Sequence, residues 1–150
     1  MRRLKRKYKR PKRPWDTKRI EEEKQLMSKF GLRRKKEIWR AEEILRNFRR
    51  RARSLIAKKD ENEIKILTDK LIQLGLLQKG CGLEDILSLT VSDILNRRLQ
   101  TIVHKKGLAK TVKEARQKIV HGHIYVNGRK NIFPSYLVPI DKENKVEVKE

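Results

Sequence analysis

A short segment near position 113 carries polar side chains whose spacing places them on one helical face. They are Lys110, Lys113, Arg116 and Gln117. Lysine and arginine neutralise phosphate groups, and glutamine can hydrogen-bond to bases or sugars, so this combination is typical of nucleic-acid contact. Thr111 stands where a helix N-cap belongs and joins the same predicted surface. We therefore predict a short helix that presents a phosphate-binding face.

Other cations on either side of this helix extend the predicted surface. Two arginines precede it, a Lys-Lys-Gly turn leads into it, and a histidine stands at its end. All of these side chains can donate hydrogen bonds to phosphate oxygens. The residues assigned to this extension are Arg97, Arg98, Lys105, Lys106 and His121.

A second cationic cluster lies within an amphipathic pattern that spans positions 35–58. Five arginines fall within eight residues, 46–53, and no acid stands among them. A helix face that meets only water would normally mix both signs of charge. We therefore interpret this cluster as a phosphate-contacting face. The residues assigned to it are Arg46, Arg49, Arg50 and Arg53.

The N-terminal segment 1–14 holds nine Lys or Arg residues, no acid and two prolines. It has no apolar periodicity, so we expect an extended arm when the chain is alone. A solvated tail would have the same composition, but so much charge repels itself unless a polyanion neutralises it. We favour an arm that orders on RNA. Its assigned residues are Arg2, Arg3, Lys5, Arg6, Lys7, Lys9, Arg10, Lys12 and Arg13.

Residues able to perform catalysis or to hold a metal are few. Cys81 is the only cysteine, which excludes an internal disulfide, and no neighbour in sequence suggests a base for it. His121 and His123 flank Gly122, but two histidines and one distant cysteine make a poor metal site. We predict no catalytic residue, no metal and no cofactor, and so a protein that is not an enzyme.

The overall charge balance points to an anionic partner. The 150 residues include 41 Lys or Arg and 19 Asp or Glu, which gives a formal net charge of +22. Phosphates would neutralise such a surface and release counterions. A membrane partner is not expected, because no run approaches the roughly 20 apolar residues that cross a bilayer.

Apolar periodicity predicts the elements that position these side chains. Helices are expected at 17–29, 35–58, 61–77 and 83–89. Trp15 and Trp39 are interpreted as packing anchors rather than base-stacking platforms, because only 5% of the chain is aromatic. A capping box at Thr90 begins a further helix that runs to about Val103, and Gly122 ends the helix that starts at Thr111. Strands are expected at 124–126, 136–138 and 146–148, with a hairpin turn at Asn127-Gly128 and a polar turn at 141–144.

The predicted fold class is α+β. A mainly helical N-terminal domain is followed by a small module of two helices packed on a short, mostly antiparallel sheet, and an extended basic arm precedes both. The predicted division is 1–14 for the arm, 15–96 for the helical domain and 97–150 for the module.

Within this module, the sequence RRLQTIVHKKGLAKTVKEARQKIVHGHIYVNG, followed by PSYLV, resembles the RNA-binding module of the small-subunit ribosomal protein S-four family. The segment from about position 14 to the module is similar to the helical domain of that family in its archaeal and eukaryotic form. The matching module positions are Leu99, Gly107, Leu108, Ala109, Ala115, Arg116, Gly122, Val126, Asn127, Gly128, Pro134 and Ser135.

The resemblance implies a structural constituent of the small ribosomal subunit that binds small-subunit ribosomal RNA directly. It implies a primary binder in assembly at a multi-helix junction of the 5′ domain, with an effect on decoding accuracy. The expected partners are that RNA and neighbouring small-subunit ribosomal proteins, on ribosomes in the cytoplasm. Bacterial members often bind zinc through N-terminal cysteines, which this sequence lacks. We expect neither a membrane partner nor a homo-oligomer.

Other functions stay open at this level. A nucleolar factor for processing of precursor ribosomal RNA is built on a related two-domain plan. A pseudouridine synthase can carry the same module, but the rest of this chain suggests no catalytic domain. The two short helices also resemble a DNA-binding helix-turn-helix, although a hairpin follows the second helix at once.

Overall fold

The computed structural model describes residues 7–78 and 80–149. These residues form helices and a small antiparallel sheet, which confirms the predicted α+β class. The predicted arm residues Arg2, Arg3, Lys5 and Arg6 lie outside the described residues. No helix in the described ranges is long and apolar enough to cross a membrane. In chain order the elements are α1 (Thr17–Phe30), α2 (Lys36–Lys58), α3 (Glu61–Gln73), α4 (Leu83–Ser88), α5 (Val91–Asn96), α6 (Leu99–Lys105), α7 (Val112–His121), β1 (Ile124–Val126), β2 (Arg129–Lys130), α8 (Ile140–Glu143) and β3 (Val146–Val148).

Helix α2 is the main support of the N-terminal core. Its apolar side chains recur at steps of three and four residues and face one side, as predicted. That side packs on α4 and α5, and also on α1 and α3. The buried residues of this stripe are Ile38, Ala41, Leu45, Ala52 and Leu55.

Helix α3 ends four residues earlier than its predicted end at position 77. The backbone of Gly75 is left-handed, with φ of 68°, which stops the helix. The N–H of Leu76 donates to the Leu71 carbonyl at 3.0 Å, so the last turn is closed by the chain that leaves it. Leu77 is still buried, which explains why the apolar periodicity continued past the helix.

The prediction of one helix from Thr90 to Val103 is wrong, because α5 and α6 are separate. Arg98 is extended between them, with φ of −71° and ψ of 144°. It forms an isolated antiparallel bridge with Leu137, which lies far along the chain. Arginine has a good intrinsic helix propensity, so the local sequence favours a helix through Arg97 and Arg98. The pairing of Arg98 with Leu137 outweighs this preference.

The segment Tyr136–Val138 pairs with this helix break rather than with the sheet, so its assignment as a sheet strand is wrong. The Leu99 N–H donates to the Tyr136 carbonyl at 2.7 Å, and the Val138 N–H donates to the Arg97 carbonyl at 3.0 Å. Val138 is fully buried. The segment therefore closes the module over the start of α6.

The sheet has the order β2-β1-β3 and is antiparallel throughout. The predicted turn at Asn127-Gly128 joins β1 to β2, and φ is 52° at Asn127 and 74° at Gly128. Both residues tolerate the left-handed conformation that this tight hairpin turn requires. The predicted polar turn at 141–144 overlaps the short helix α8. Helix α7 ends at Gly122 and leads directly into β1.

Two hydrophobic clusters divide the described residues, and a buried glutamine joins them. The first cluster lies between Phe30 and Leu95, and the second between Leu99 and Val146. Gln100 is 1% exposed. Its amide nitrogen lies within 3.0–3.3 Å of three carbonyl oxygens, which belong to Phe30, Gly31 and Val112. Gln100 therefore ties the end of α1 to the start of α7, while the predicted domain division stays a prediction.

Replacing Gln100 by alanine should lower the free energy of unfolding by about 2–4 kcal/mol. The loss combines unsatisfied buried carbonyls, at about 1–3 kcal/mol, with the cavity left behind. Chemical denaturation followed by circular dichroism measures it. Gln117→Ala is the matched control, because that side chain is exposed on α7. Equal stability of the two variants would contradict the role of Gln100 as a tie between the clusters.

The two tryptophans have different environments. Trp39 packs as predicted: its ring lies 5.9 Å from the Tyr8 ring, and its indole N–H donates to Glu23 at 2.9 Å. Trp15 is 87% exposed, so its prediction as a packing anchor is wrong. It immediately precedes α1, where its side chain finds no cover among the described residues.

Candidate nucleic-acid interface

An open groove of about 350 Å³ lies where the helical region meets the C-terminal module. Six of its lining side chains are cationic and one is a carboxylate. Such a concentration of one sign of charge in a concave surface attracts anions. We call it the junction groove. Its lining residues are Arg33, Arg34, Lys36, Glu37, Arg40, Arg98, Arg116, Pro134 and Ser135.

One wall of the junction groove is the connection between α1 and α2. Helix α1 ends at Gly31, whose left-handed φ of 56° turns the chain away from the helix axis. Arg33 and Arg34 follow in this turn, and both are exposed. Lys36 and Arg40 are one turn apart on α2, so they face the same side.

These four cations were not among the sequence-predicted site residues. A signal for three of them existed, because positions 32–36 read LRRKK directly after a helix-ending glycine. A run of four cations in a short turn resembles an ordinary solvated connection. What the sequence did not indicate is that the turn lies opposite α7, about 80 residues later in the chain.

Glu37 lies in this groove and accepts hydrogen bonds from both sides of it. One carboxylate oxygen accepts from Arg98 at 2.5 Å and from Arg116 at 3.1 Å. The other oxygen accepts from the Arg33 backbone N–H at 3.2 Å. The side chains are 6% exposed for Arg98, 15% for Glu37 and 26% for Arg116. Glu37 therefore fixes the positions of two guanidinium groups from the module.

The charges around Glu37 leave a net positive site. Burial alone raises the pKa of Glu37, but the hydrogen bonds from Arg116 and Arg98 outweigh it and lower the pKa to about 2. Burial lowers the pKa of Arg98, and the Glu37 carboxylate opposes that change. One carboxylate faces two guanidinium groups here, and the buried Nε of Arg98 has no hydrogen-bond partner among the described residues. Excess positive charge is therefore available to an anion.

Two predicted surface residues need correction, because Arg97 and Arg98 point inward. Arg97 donates to Glu143 and to the Val138 carbonyl, both at 2.8 Å, and its side chain is 15% exposed. Arg98 is buried against Glu37. Buried arginines need paired acceptors, and the α5–α6 break supplies the space that holds them. Their main role in the structure is to connect elements, although Arg98 still reaches the wall of the junction groove.

A second cationic groove adjoins the first, and we call it the arm groove. The predicted arm residues Arg10 and Lys12 line it, together with Arg33, Arg34 and Lys36 of the junction groove. Tyr8 lies against Trp39, so this part of the arm rests on α2. The other predicted arm cations in the described ranges, Lys7, Lys9 and Arg13, are exposed. The two grooves thus form one continuous basic surface.

Buried Glu23 holds the floor of the arm groove in place. Its carboxylate pairs with Lys35 at 2.9 Å and with Arg19 at 3.4 Å, and it also accepts the Trp39 N–H. Burial raises the pKa of Glu23, but the hydrogen bonds from Trp39 and Lys35 outweigh it, so the pKa lies below its ordinary value. Glu23 therefore stays a carboxylate that orders cations around it.

Most side chains of the predicted outer face of α7 are exposed. Thr111 accepts a hydrogen bond from the Glu114 N–H at 3.1 Å, and Glu114 reaches back to the Lys110 N–H at 2.8 Å. In a capping box the glutamate would accept the N–H of Thr111 itself, whereas here it accepts the N–H of the preceding residue. Arg116 is the exception, because its side chain points toward Glu37 and donates a hydrogen bond to it. The remaining predicted module residues are half-buried at Lys106 and exposed at Lys105, Lys110, Thr111, Lys113, Gln117 and His121.

The predicted arginine cluster of α2 lines neither groove within the described residues. Arg46 pairs with Glu43 on its own helix, and Arg49 donates to the Leu89 carbonyl at 2.6 Å. Arg49 thereby connects α2 to the residue that ends α4. Arg50 and Arg53 are exposed. Contact of these four residues with RNA stays a prediction.

The chain is similar to known proteins along most of its length. Residues 97–141 match the family model described as the S4 domain. The chain is 49% identical over 148 residues to small ribosomal subunit protein uS4 of Methanothermobacter thermautotrophicus, covering 97% of this chain and 86% of that protein. It is also 49% identical over 145 residues to the protein of that name from Saccharolobus islandicus, covering 94% and 80%. The chain therefore belongs to the small ribosomal subunit protein uS4 family.

Proposed function

We propose that this chain is a structural, non-catalytic constituent of the small ribosomal subunit and binds small-subunit ribosomal RNA directly. Its place would be on ribosomes in the cytoplasm, beside other small-subunit proteins. The names of its relatives support the ribosomal role. The junction groove, where six cations surround one carboxylate, is the main support for direct RNA binding.

The geometry of the groove suits recognition of RNA shape. Arg33, Arg34 and Arg40 come from the helical region, whereas Arg116 comes from α7. A guanidinium binds a phosphate through two parallel hydrogen bonds, so arginines held at fixed positions select a particular spacing of phosphates. Folded RNA presents its phosphates at spacings that depend on how its helices meet.

Preorganisation should strengthen this binding. Arg116 and Arg98 are already held by Glu37, and Arg19 and Lys35 by Glu23. Side chains that are ordered before binding lose less rotamer entropy on binding. The acidic residues of the basic surface thus act as positioning groups for the cations around them.

We further propose the finer role expected from the family resemblance. The chain would bind early in assembly at a multi-helix junction of the 5′ domain and would contribute to decoding accuracy. A multi-helix junction brings phosphates from several helices together, which matches a basic surface built from the arm, the α1–α2 turn and the module. The division into arm (1–14), helical domain (15–96) and module (97–150) belongs to this proposal.

Binding to a transcript of the small-subunit 5′ domain tests the proposal. We expect tight binding to this transcript and weak binding to duplex DNA of equal charge at matched salt, measured by filter binding. The basic charge alone would bind both alike, so the difference reports shape recognition. Equal affinity for the two would contradict the proposal.

Sedimentation distinguishes the alternative processing role. A constituent of the subunit stays with mature small subunits after washing at moderate salt. A protein that sediments only with precursor particles would instead be a processing factor.

A further inference from the structure

Trp15 is an unusual surface residue for a folded protein. The residue is 87% exposed, the largest exposed fraction among the exposed large hydrophobic residues described. Tryptophan is highly buried on average, because it has more apolar area than any other side chain. No side chain among the described residues covers it, so the indole is open to a partner.

The backbone that carries Trp15 is held in place. Arg19 donates to the Pro14 carbonyl at 3.2 Å, and the Ile20 N–H donates to the Asp16 carbonyl at 3.0 Å. Arg19 is itself fixed by its ion pair with buried Glu23 at 3.4 Å. The backbone at Trp15 therefore has a defined position at the start of α1.

The surroundings of Trp15 are cationic. Arg13 and Lys18 are close in the chain and exposed, and the adjacent Asp16 is the one acid between them. The preceding residue, Pro14, lines the arm groove together with Arg10 and Lys12. A basic protein segment would be repelled here, whereas a nucleic-acid strand would have its phosphates neutralised on either side of the indole.

We propose that Trp15 stacks on an unpaired base of the RNA whose phosphates occupy the arm groove, an inference that rests on the proposed function. Every nucleobase has a flat π-face, so stacking adds affinity without demanding one base identity. A single indole at the edge of a phosphate-binding surface would select a place where the RNA has an unstacked nucleotide. Trp15 thus adds a requirement for single-stranded character to a surface that otherwise binds phosphates.

The experiment uses the full chain and a transcript of the small-subunit 5′ domain. Trp15→Ala should weaken binding by about 5- to 150-fold, the range seen when one stacked base loses its aromatic partner. Trp15→Phe should retain most of the original affinity. Trp15→Leu should bind as weakly as Trp15→Ala, because leucine keeps apolar area without a π-face. The salt dependence of affinity should stay unchanged, since no charge is removed.

Two controls separate stacking from other effects. Ile66→Ala removes a side chain that is 68% exposed on α3, and it should leave the affinity unchanged. Fluorescence gives an independent readout, because a stacked base quenches indole emission. RNA should quench the unaltered chain more strongly than Trp15→Phe, which keeps only Trp39.

Three outcomes would overturn this inference. Equal affinity of Trp15→Ala and Ile66→Ala would remove the base contact. Recovery by Trp15→Leu would show apolar packing without stacking. If Trp15→Ala bound RNA with normal affinity but was poorly retained in assembled subunits, Trp15 would contact a neighbouring protein instead. Failure of the unaltered chain to bind the transcript would contradict the proposed function itself, whereas the three outcomes above leave the proposed function intact.

Discussion

Replacing Arg34 and Lys36 by glutamate should weaken binding to the 5′-domain transcript by about 100-fold or more. Both side chains are exposed and line the junction groove as well as the arm groove. Hydrogen bonds to charged groups contribute about 1.5–3 kcal/mol each, so the removal of two of them exceeds a factor of about 100 before repulsion is considered. Filter binding over a series of salt concentrations measures the effect.

The slope of affinity against salt concentration is the more specific readout. It should become shallower by about 0.7–0.9 for each phosphate that the variant no longer neutralises. The matched control is Lys65→Glu with Lys70→Glu, which makes the same change in net charge at two exposed positions of α3. An equal effect of the two double variants would mean that only total charge matters, and it would contradict a localised groove.

Replacing Glu37 by alanine should destabilise the fold by about 3 kcal/mol or more. Removing one partner of a buried ion pair leaves the other charge uncompensated, at a cost of about 3–5 kcal/mol. Here two guanidiniums lose their shared acceptor, and Arg98 is almost fully buried. Denaturant unfolding should show the loss, whereas Glu22→Ala, at an exposed position of α1, should stay near the original stability.

The pH dependence gives this prediction a second test. The folded-state pKa of Glu37 is about 2, which lies below its ordinary value of 4.5. A lowered carboxyl pKa stabilises the fold above the ordinary value, and that contribution disappears as the pH falls from about 4.5 toward 2. The difference in stability between the original chain and Glu37→Ala should therefore shrink over this range. A difference that stayed constant would show that the carboxylate charge is not what stabilises the junction.

Local patterns predicted most of the fold because the deciding interactions are close in sequence. The stripe of α2, the N-cap at Thr111 and the turn at Asn127-Gly128 each depend on residues within a few positions of one another. The α5–α6 break was missed for the opposite reason. It is set by hydrogen bonds from Leu99 to Tyr136 and from Val138 to Arg97, which no local pattern reveals.

The candidate site was likewise predicted only where its residues lie close together in sequence. The outer face of α7 was visible as a helical period of cations, and it is a surface in the structure. The inward turn of Arg98 and Arg116 was not, because their acceptor, Glu37, is separated from them by 61 and 79 positions. Composition indicates that the chain is basic, but only the folded arrangement shows which cations are held by acids and which are free for phosphate.

The junction groove also bears on the synthesis of the chain. Its lining residues are spread from Arg33 to Ser135, so they leave the translating ribosome at widely separated times. A nascent chain that has only its helical region has Glu37 without Arg98 and Arg116, and the α1 terminus without Gln100. The complete groove exists only after the module has been made and has closed on the helices. A prematurely terminated product would therefore carry abundant positive charge without the arrangement to which we attribute selectivity for folded RNA.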